Sequence, residues 1–272
     1  MFLKRVLVVL ILLPVGLALI YIGGWAYAGL VAVILGLAAW EFARLFHAGG
    51  FAPAAALLVI GTLAIAISRA VDDFASAPWL VSLLILTAMT YHLVDYERGR
   101  DQAASDFAIT LAGMFYIGWL GAYLISVRDL PDGMWWLLII LPVVWLADSA
   151  AYLVGSRIGR HKMTKRLSPK KSWEGYIGGV VAGVLGGAGL AALMQALAVP
   201  GSAITWPRGA LLGLALAVLT TLGDLGESMV KRQVGMKDSG NLLPGHGGVF
   251  DRIDSWLWAG VIGFYMITWL WL

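Results

Sequence analysis

Apolar residues run through this chain in long blocks, and polar residues gather in the short stretches between them. The blocks fall at about 5–22, 25–46, 53–69, 78–95, 105–126, 134–154, 173–198, 207–230 and 255–271. An α-helix rising 1.5 Å per residue needs roughly 20 such residues to cross a hydrocarbon core about 30 Å thick. The pattern therefore predicts an all-α fold, a polytopic integral membrane protein with about nine transmembrane helices. The weakest boundary is the first, where only Gly23 and Gly24 divide two blocks.

Composition agrees. Of 272 residues, 60% are hydrophobic and 13% charged, against about 25% charged in soluble domains. The chain has no cysteine, which excludes a disulfide framework, a thiolate metal site and a cysteine nucleophile. Lys4 and Arg5 before an apolar run, with Ala26-Tyr27-Ala28 beyond it, resemble a secretion signal. The run exceeds the usual 7–15 apolar residues of such signals and further spans follow, so it reads as the first span. No internal repeat stands out, which leaves an inverted-repeat transporter without support. Trp135, Trp136, Trp206, Trp269 and Trp271 sit near span ends, as membrane-interface anchors do.

The net charge of +3 is small, but its distribution is lopsided. Across nine spans, 16 of the 19 Lys and Arg residues fall on one side, including Lys4, Arg5, seven residues of the loop 155–172, and Lys231, Arg232, Lys237 and Arg252. The other side holds Arg69, Arg128 and Arg208. The positive-inside rule makes the rich side cytoplasmic, with the N-terminus inside and the C-terminus outside.

The most polar stretch is Ser228 to Asp254, with Lys231, Arg232, Lys237 and Arg252 against Asp238, Asp251 and Asp254. A lipid-anchoring basic patch would be one-sided. Mixed carboxylates and cations beside Gly245, Gly247 and Gly248 suit a place where a metal and a phosphate meet. Hard cations take carboxylate and phosphate oxygens, and glycine lets backbone N–H groups approach an anion. A solvated loop with ordinary Gly and Pro turns is the plainer alternative.

Glu41, Asp148, Asp224 and Glu227 lie in or near apolar spans, where an ionised carboxylate costs about 3 kcal/mol or more unless paired or hydrated. Asp224, Glu227, Ser228 and Lys231 share one helical face, although Glu227 and Lys231 also have the spacing of a structural ion pair. Asp251 and Asp254 are three apart at the start of the last span. Helix capping explains Asp254 better than Asp251, which directly follows His-Gly-Gly-Val-Phe. Ser168-Pro169-Lys170-Lys171-Ser172 precedes an apolar helix whose unpaired N–H groups could join the lysines in holding phosphate; topology anchoring by the same lysines is the alternative. His47, His92 and His161 lack partners at zinc-ligand spacing.

The string from Ser228 through Lys231-Arg232, Lys237-Asp238, Pro244, His246-Gly247-Gly248 and Asp251-Arg252-x-Asp254 resembles the signature of the phosphatidate cytidylyltransferases, or CDP-diacylglycerol synthases, of bacterial type. Asp148, Ala151-Tyr152, Gly155, Gly159, Ser168 to Ser172 and Glu174-Gly175 are similar to a second block of that family, and Gly223 to Ser228 to the block leading into the signature. Trp40-Glu41-Phe42 resembles an N-terminal family feature.

The resemblance implies transfer of CMP from CTP to phosphatidate, giving CDP-diacylglycerol and pyrophosphate in phospholipid biosynthesis. It implies one membrane-embedded domain over 1–272, with N-terminal helices to about 130 and catalytic helices and loops over about 134–272. Asp224, Asp251, Lys237, His246 and Arg252 would be catalytic. Ser168, Lys170, Lys171, Ser172, Glu227, Ser228, Lys231, Arg232, Asp238, Gly247 and Gly248 would bind substrate. Asp148, Asp224, Asp251 and Asp254 would hold Mg²⁺, with room for a second cation. The expected partners are CTP, phosphatidate and the lipid bilayer, not nucleic acid, with room for a homodimer. The expected place is the bacterial inner membrane, with the active-site loops cytoplasmic. A CTP-dependent lipid kinase is the nearest alternative, and an ion-coupled transporter is more remote.

Overall fold

A computed structural model of the chain describes residues 2–197, 202–242, 245 and 247–272, with side chains from Leu10 onward. Its helices are α1 (Phe2–Ile22), α2 (Gly24–Ala48), α3 (Ala55–Asp72), α4 (Ala77–Glu97), α5 (Ala103–Gly113), α6 (Leu120–Asp129), α7 (Gly133–Ile158), α8 (Trp173–Leu197), α9 (Trp206–Gln233) and α10 (Phe250–Leu270). A π-helical turn, Met114–Trp119, joins α5 to α6 without a break. Among the described residues eight helical segments are long and apolar enough to cross a membrane, Ala103–Asp129 counting as one. With α1 these correspond to the nine blocks, and the protein is an all-α, multi-pass membrane protein. The last helix starts five residues earlier than its apolar block, so Asp251 and Asp254 are both helical.

The chain divides into two compact units. Unit 1 comprises Met1–Ser126 and Val230–Ile253. Leu35, Leu58, Ile65, Met114 and Ile117 form its fully buried centre. A Cβ on Gly61 would lie 2.7 Å from Met114 Sδ, and one on Gly113 would lie 2.7 Å from Leu58 Cδ1. Such close contacts between α3 and the π turn require residues without side chains there. The loop after α2 is pinned by Asp106, which accepts from Ala52 N at 2.8 Å and from Arg100 Nε at 2.7 Å, and by Thr110, which accepts from Ala54 N at 3.0 Å. The bonds to Ala52 N and Ala54 N satisfy backbone donors that lie outside any helix. A Cβ on Gly49 would lie 2.8 Å from Val234, so this loop abuts the one that follows α9.

Unit 2 comprises Val127–Met229 and Asp254–Leu272. Its helices meet along glycine seams. A Cβ on Gly175 would lie 2.6 Å from Ala151 O, and one on Gly179 would lie 2.8 Å from Ala147 O, so α7 and α8 touch backbone to backbone. Gly183 and Gly187 of α8 meet Gly213 and Gly209 of α9, where a side chain would overlap the facing carbonyl. Gly223 faces Asp254 O and Trp258 across the α9–α10 contact, each 2.7 Å from its would-be Cβ. Close approach by small residues is how helices associate where lipid removes the hydrophobic drive between them. Trp136 departs from its expected role as an interface anchor. It is fully buried and stacks on Trp271 at 5.3 Å, whereas Trp206 and Trp269 are exposed as anchors should be.

Candidate active site

In unit 2 the loop between α7 and α8 is braced by its own residues. Lys162 and Ser172 form an antiparallel bridge, and Met163 N donates to Lys171 O at 3.0 Å. Glu174, in the first turn of α8, accepts from Arg160 N and His161 N, and pairs with His161 Nδ1 at 2.6 Å. Ser168 O accepts from Lys171 N at 3.1 Å and from Thr164 Oγ1 at 3.1 Å.

Two lysines that look alike in sequence are thereby separated. Lys171 is turned onto α9, where its Nζ lies 2.9 Å from Asp224 Oδ2, while Lys170 is exposed. Ser228, one turn beyond Asp224, donates to Asp224 Oδ1 at 3.4 Å, so the shared face read from spacing exists for this pair. Glu227 is buried and Asp148 is exposed on α7.

The start of α8 differs from the expectation of free donors. Ser172 is buried and its hydroxyl accepts from Gly175 N at 3.2 Å, capping the helix, and Trp173 N donates to His161 O at 2.9 Å. A helix beginning inside a braced loop closes its own first turn. The lysines, rather than the N–H groups of this helix, carry the positive charge.

In unit 1 the loop from Gln233 to Phe250 is closed at its base by Lys231 and Asp251, whose Nζ and Oδ1 are 2.7 Å apart. Asp251 Oδ2 accepts from Gly248 N at 2.8 Å and from Ser239 N at 2.9 Å. The carboxylate thus gathers an ammonium and two backbone N–H groups. Gly247 takes φ +84°, in the left-handed region, and a Cβ there would lie 2.8 Å from Asp251 Oδ2. The glycines let the backbone fold down onto the carboxylate.

Capping falls opposite to the sequence expectation. Asp251 sits in the first turn of α10 and reaches back to Gly248 N, just ahead of the helix. Asp254 lies a turn further in, is buried within unit 2, and accepts from its neighbour Ser255 N at 2.6 Å. Arg232, Lys237, Asp238 and Arg252 are exposed, Gly247 is half-buried and Gly248 is buried. His246 and Pro244 lie outside the described residues.

Two polar residues complete the unit 1 cluster. Glu41 on α2 is 1% exposed, and its Oε2 accepts from Ser239 Oγ at 3.1 Å and from Phe250 N at 2.9 Å. In the sequence Glu41 is an intramembrane carboxylate that is costly unless paired or hydrated, and nothing there joins it to Ser239. Their contact spans 198 residues, which no local pattern can report.

Among the described residues no three His, Asp or Glu side chains converge as a ready-made metal cage. Mg²⁺ needs fewer, because one or two carboxylates with phosphate oxygens and water fill its shell. Asp224 and Asp251, each already holding a cationic ammonium, offer that hard-oxygen chemistry. Asp254, turned to Ser255 N, is the less available donor.

Comparison with known proteins supplies an independent finding. The sequence profile of the cytidylyltransferase family matches residues 3–270. The phosphatidate cytidylyltransferase of Pseudomonas aeruginosa is 35% identical, covering 98% of this chain and 96% of its own. That of Synechocystis sp. is 29% identical over 97% of this chain and 96% of its own. That of Brucella suis is 45% identical over 152 residues, 56% of this chain and 54% of its own.

Proposed function

The chain belongs to the cytidylyltransferase family, and from that membership we propose that it transfers CMP from CTP to phosphatidate, giving CDP-diacylglycerol and pyrophosphate. It is a nucleotidyltransferase of phospholipid biosynthesis. The observation that carries the substrate assignment is the near full-length match to relatives named phosphatidate cytidylyltransferase, at 35% identity over 98% of this chain in one case.

The chemistry asks for positioning and charge neutralisation. The phosphate of phosphatidate is already anionic, so its oxygen attacks the α-phosphorus of CTP without a strong base. The new P–O bond forms as the bond to the β-phosphate bridging oxygen breaks, and pyrophosphate leaves with the electron pair. Lys170 and Lys171 on one loop, and Lys231, Arg232, Lys237 and Arg252 around the other, neutralise the triphosphate and the leaving group. His246 and Asp238 belong to the same loop and serve the bound nucleotide. Ser168, Ser172, Glu227, Ser228, Gly247 and Gly248 shape the substrate site, Ser172 by capping α8 and Gly248 by presenting its N–H to Asp251.

The Lys171–Asp224 and Lys231–Asp251 pairs support this reading. Each joins a phosphate-seeking ammonium to a metal-seeking carboxylate, and an arriving Mg²⁺-nucleotide offers both a better counter-ion. Asp224 and Asp251 would hold Mg²⁺, with Asp148 or Asp254 as further donors and room for a second cation. Bound there, the metal would offset charge on the phosphate oxygens. The charge asymmetry across the spans supports a bacterial inner-membrane location with both loops cytoplasmic, where CTP is found. Light scattering in detergent reads whether the assembly is the homodimer for which the family resemblance leaves room.

The decisive assay combines purified protein, phosphatidate and radiolabelled CTP, with and without Mg²⁺. Label from the α-phosphate in lipid, with pyrophosphate released, is the expected result. Label from the γ-phosphate in lipid, with CDP released, would make the protein a CTP-dependent lipid kinase instead.

A further inference from the structure

We propose that Glu41, acting through Ser239, is a positioning residue for the transfer: from inside unit 1 it holds the loop after α9 against Asp251 and so fixes the carboxylate that faces Lys231. The inference rests on the reading above, in which Lys231 neutralises the nucleotide phosphates and Asp251 would hold Mg²⁺ beside them.

Glu41 is buried on an apolar helix, and among the described residues no Lys or Arg pairs with it. A carboxylate in such surroundings is expensive to keep, and an apolar residue would suffice if α2 only needed filling there. Among the described residues both of its hydrogen bonds converge on one atom, Oε2, one from Ser239 Oγ at 3.1 Å within the loop that bears the signature and one from Phe250 N at 2.9 Å where that loop enters α10. Among the described residues Oε1 is buried without a hydrogen-bond partner.

The backbone is moulded on this side chain. A Cβ on Gly240 would overlap Glu41 Oε1, and one on Gly248 would overlap both Glu41 Oε2 and Ser239 Oγ. Glycine at these two positions lets the loop descend onto the carboxylate.

Ser239 carries the effect onward, and the direction of its proton can be deduced. Asp251 N donates to Ser239 Oγ at 3.3 Å, so that oxygen is the acceptor in this bond, and its own hydrogen points to Glu41 Oε2 at 3.1 Å. Ser239 N in turn donates to Asp251 Oδ2 at 2.9 Å. The sequence of contacts Glu41, Ser239, Asp251, Lys231 runs from the interior of the unit to an ion pair at the base of the loop, every bond 3.3 Å or shorter. A glutamine at position 41 can put its single amide oxygen where Oε2 is and keep both bonds. An alanine keeps neither.

The test uses the full-length protein in detergent with phosphatidate and CTP, measuring kcat, both KM values and thermal unfolding. Glu41→Ala and Ser239→Ala should each lower kcat about tenfold or more, with KM for CTP changed less than about threefold. Glu41→Gln should recover to within about threefold of the unsubstituted protein. Because both residues act through one chain of contacts, the double variant should be no more than about twofold worse than the worse single, a coupling that independent sites do not show. Thr110→Val, which removes a buried bond elsewhere in unit 1, should lower the unfolding temperature and leave kcat per folded molecule alone. Effects that multiply in the double variant, losses that merely track the folded fraction, or a Glu41→Gln as poor as Glu41→Ala would overturn the proposal. If Glu41→Ala does not fold, a wild-type kcat in Ser239→Ala overturns it. Asp251→Asn separates the two levels: an active Asp251→Asn refutes the role given to Asp251, whereas an inactive one beside active Glu41→Ala and Ser239→Ala refutes this inference alone.

Discussion

Lys231 Nζ and Asp251 Oδ1 stand 2.7 Å apart across 20 residues of sequence, one in the last turn of α9 and the other in the first turn of α10. Their side chains are 14% and 6% exposed, so the pair is largely withdrawn from solvent. Removing either partner takes from the other an opposite charge held at hydrogen-bond distance in a largely buried setting.

Asp251→Asn keeps the shape of the side chain and one acceptor oxygen but removes its charge. Turnover should fall by about a hundredfold or more, the scale of losing a preorganised electrostatic contact in an active site. The check is a steady-state rate measured across Mg²⁺ concentrations with the folded fraction determined by thermal unfolding. A near-normal rate at every concentration would reduce Asp251 to a helix-start residue.

Lys170 and Lys171 both face phosphate in the proposed reaction, but only Lys171 is held by Asp224. Replacing either with Gln should raise the CTP requirement or lower turnover about tenfold, matching a charge-assisted contact worth about 1.5–3 kcal/mol. Arg157→Gln and Lys162→Gln should leave the kinetics unchanged. Lys171→Gln combined with Asp224→Asn should be non-additive, since each removes the other's partner. Membrane abundance and CTP kinetics measured across the set decide it, and identical kinetics in all four single variants would reduce the loop to topology anchoring.

Gly248→Ala adds one methyl group where Ser239 Oγ and Glu41 Oε2 already crowd the site. The loop must shift, which should destabilise the protein by about 1–3 kcal/mol and pull the Gly248 N–H away from Asp251. Gly50→Ala is the comparison. Gly50, unlike Gly248, has positive φ, and its would-be Cβ meets nothing within 4 Å, so it should show backbone strain without the loss of kcat. Unfolding temperature and kcat measured together distinguish the two.

Cysteines introduced at Lys165 and Met236 should be labelled by a membrane-impermeant maleimide only after the cytoplasmic face is opened. Both positions are exposed, whereas the neighbouring Ser239 is buried and would report packing rather than sidedness. Labelling of either in intact cells would invert the orientation and remove both loops from cytosolic CTP.

Much of the fold was legible before any coordinates, because in lipid each span must satisfy its own backbone hydrogen bonds and therefore writes its length into an apolar block. The blocks at 25–46 and 173–198 correspond closely to α2 and α8. Other ends slipped. The apolar block of the last helix starts at 255, but the helix itself begins at Phe250, where Glu41 Oε2 and Ser239 Oγ accept from the first-turn N–H groups of Phe250 and Asp251. Trp136 was misread because proximity to a span end says nothing about which neighbour covers a ring, here Trp271.

Residue identity along the chain was enough to mark the polar stretch from Ser228 to Asp254, the basic run before α8 and the costly acids on the spans, since charge in an apolar setting is visible one letter at a time. Tertiary structure alone decided the pairings. Which lysine meets Asp224, which carboxylate Lys231 closes on, and why Glu41 faces Ser239 all depend on distance through space between residues 20 to 198 positions apart. Side-chain hydrogen bonds extend about 3 Å and carry no periodicity, so a linear pattern can nominate such groups but cannot join them.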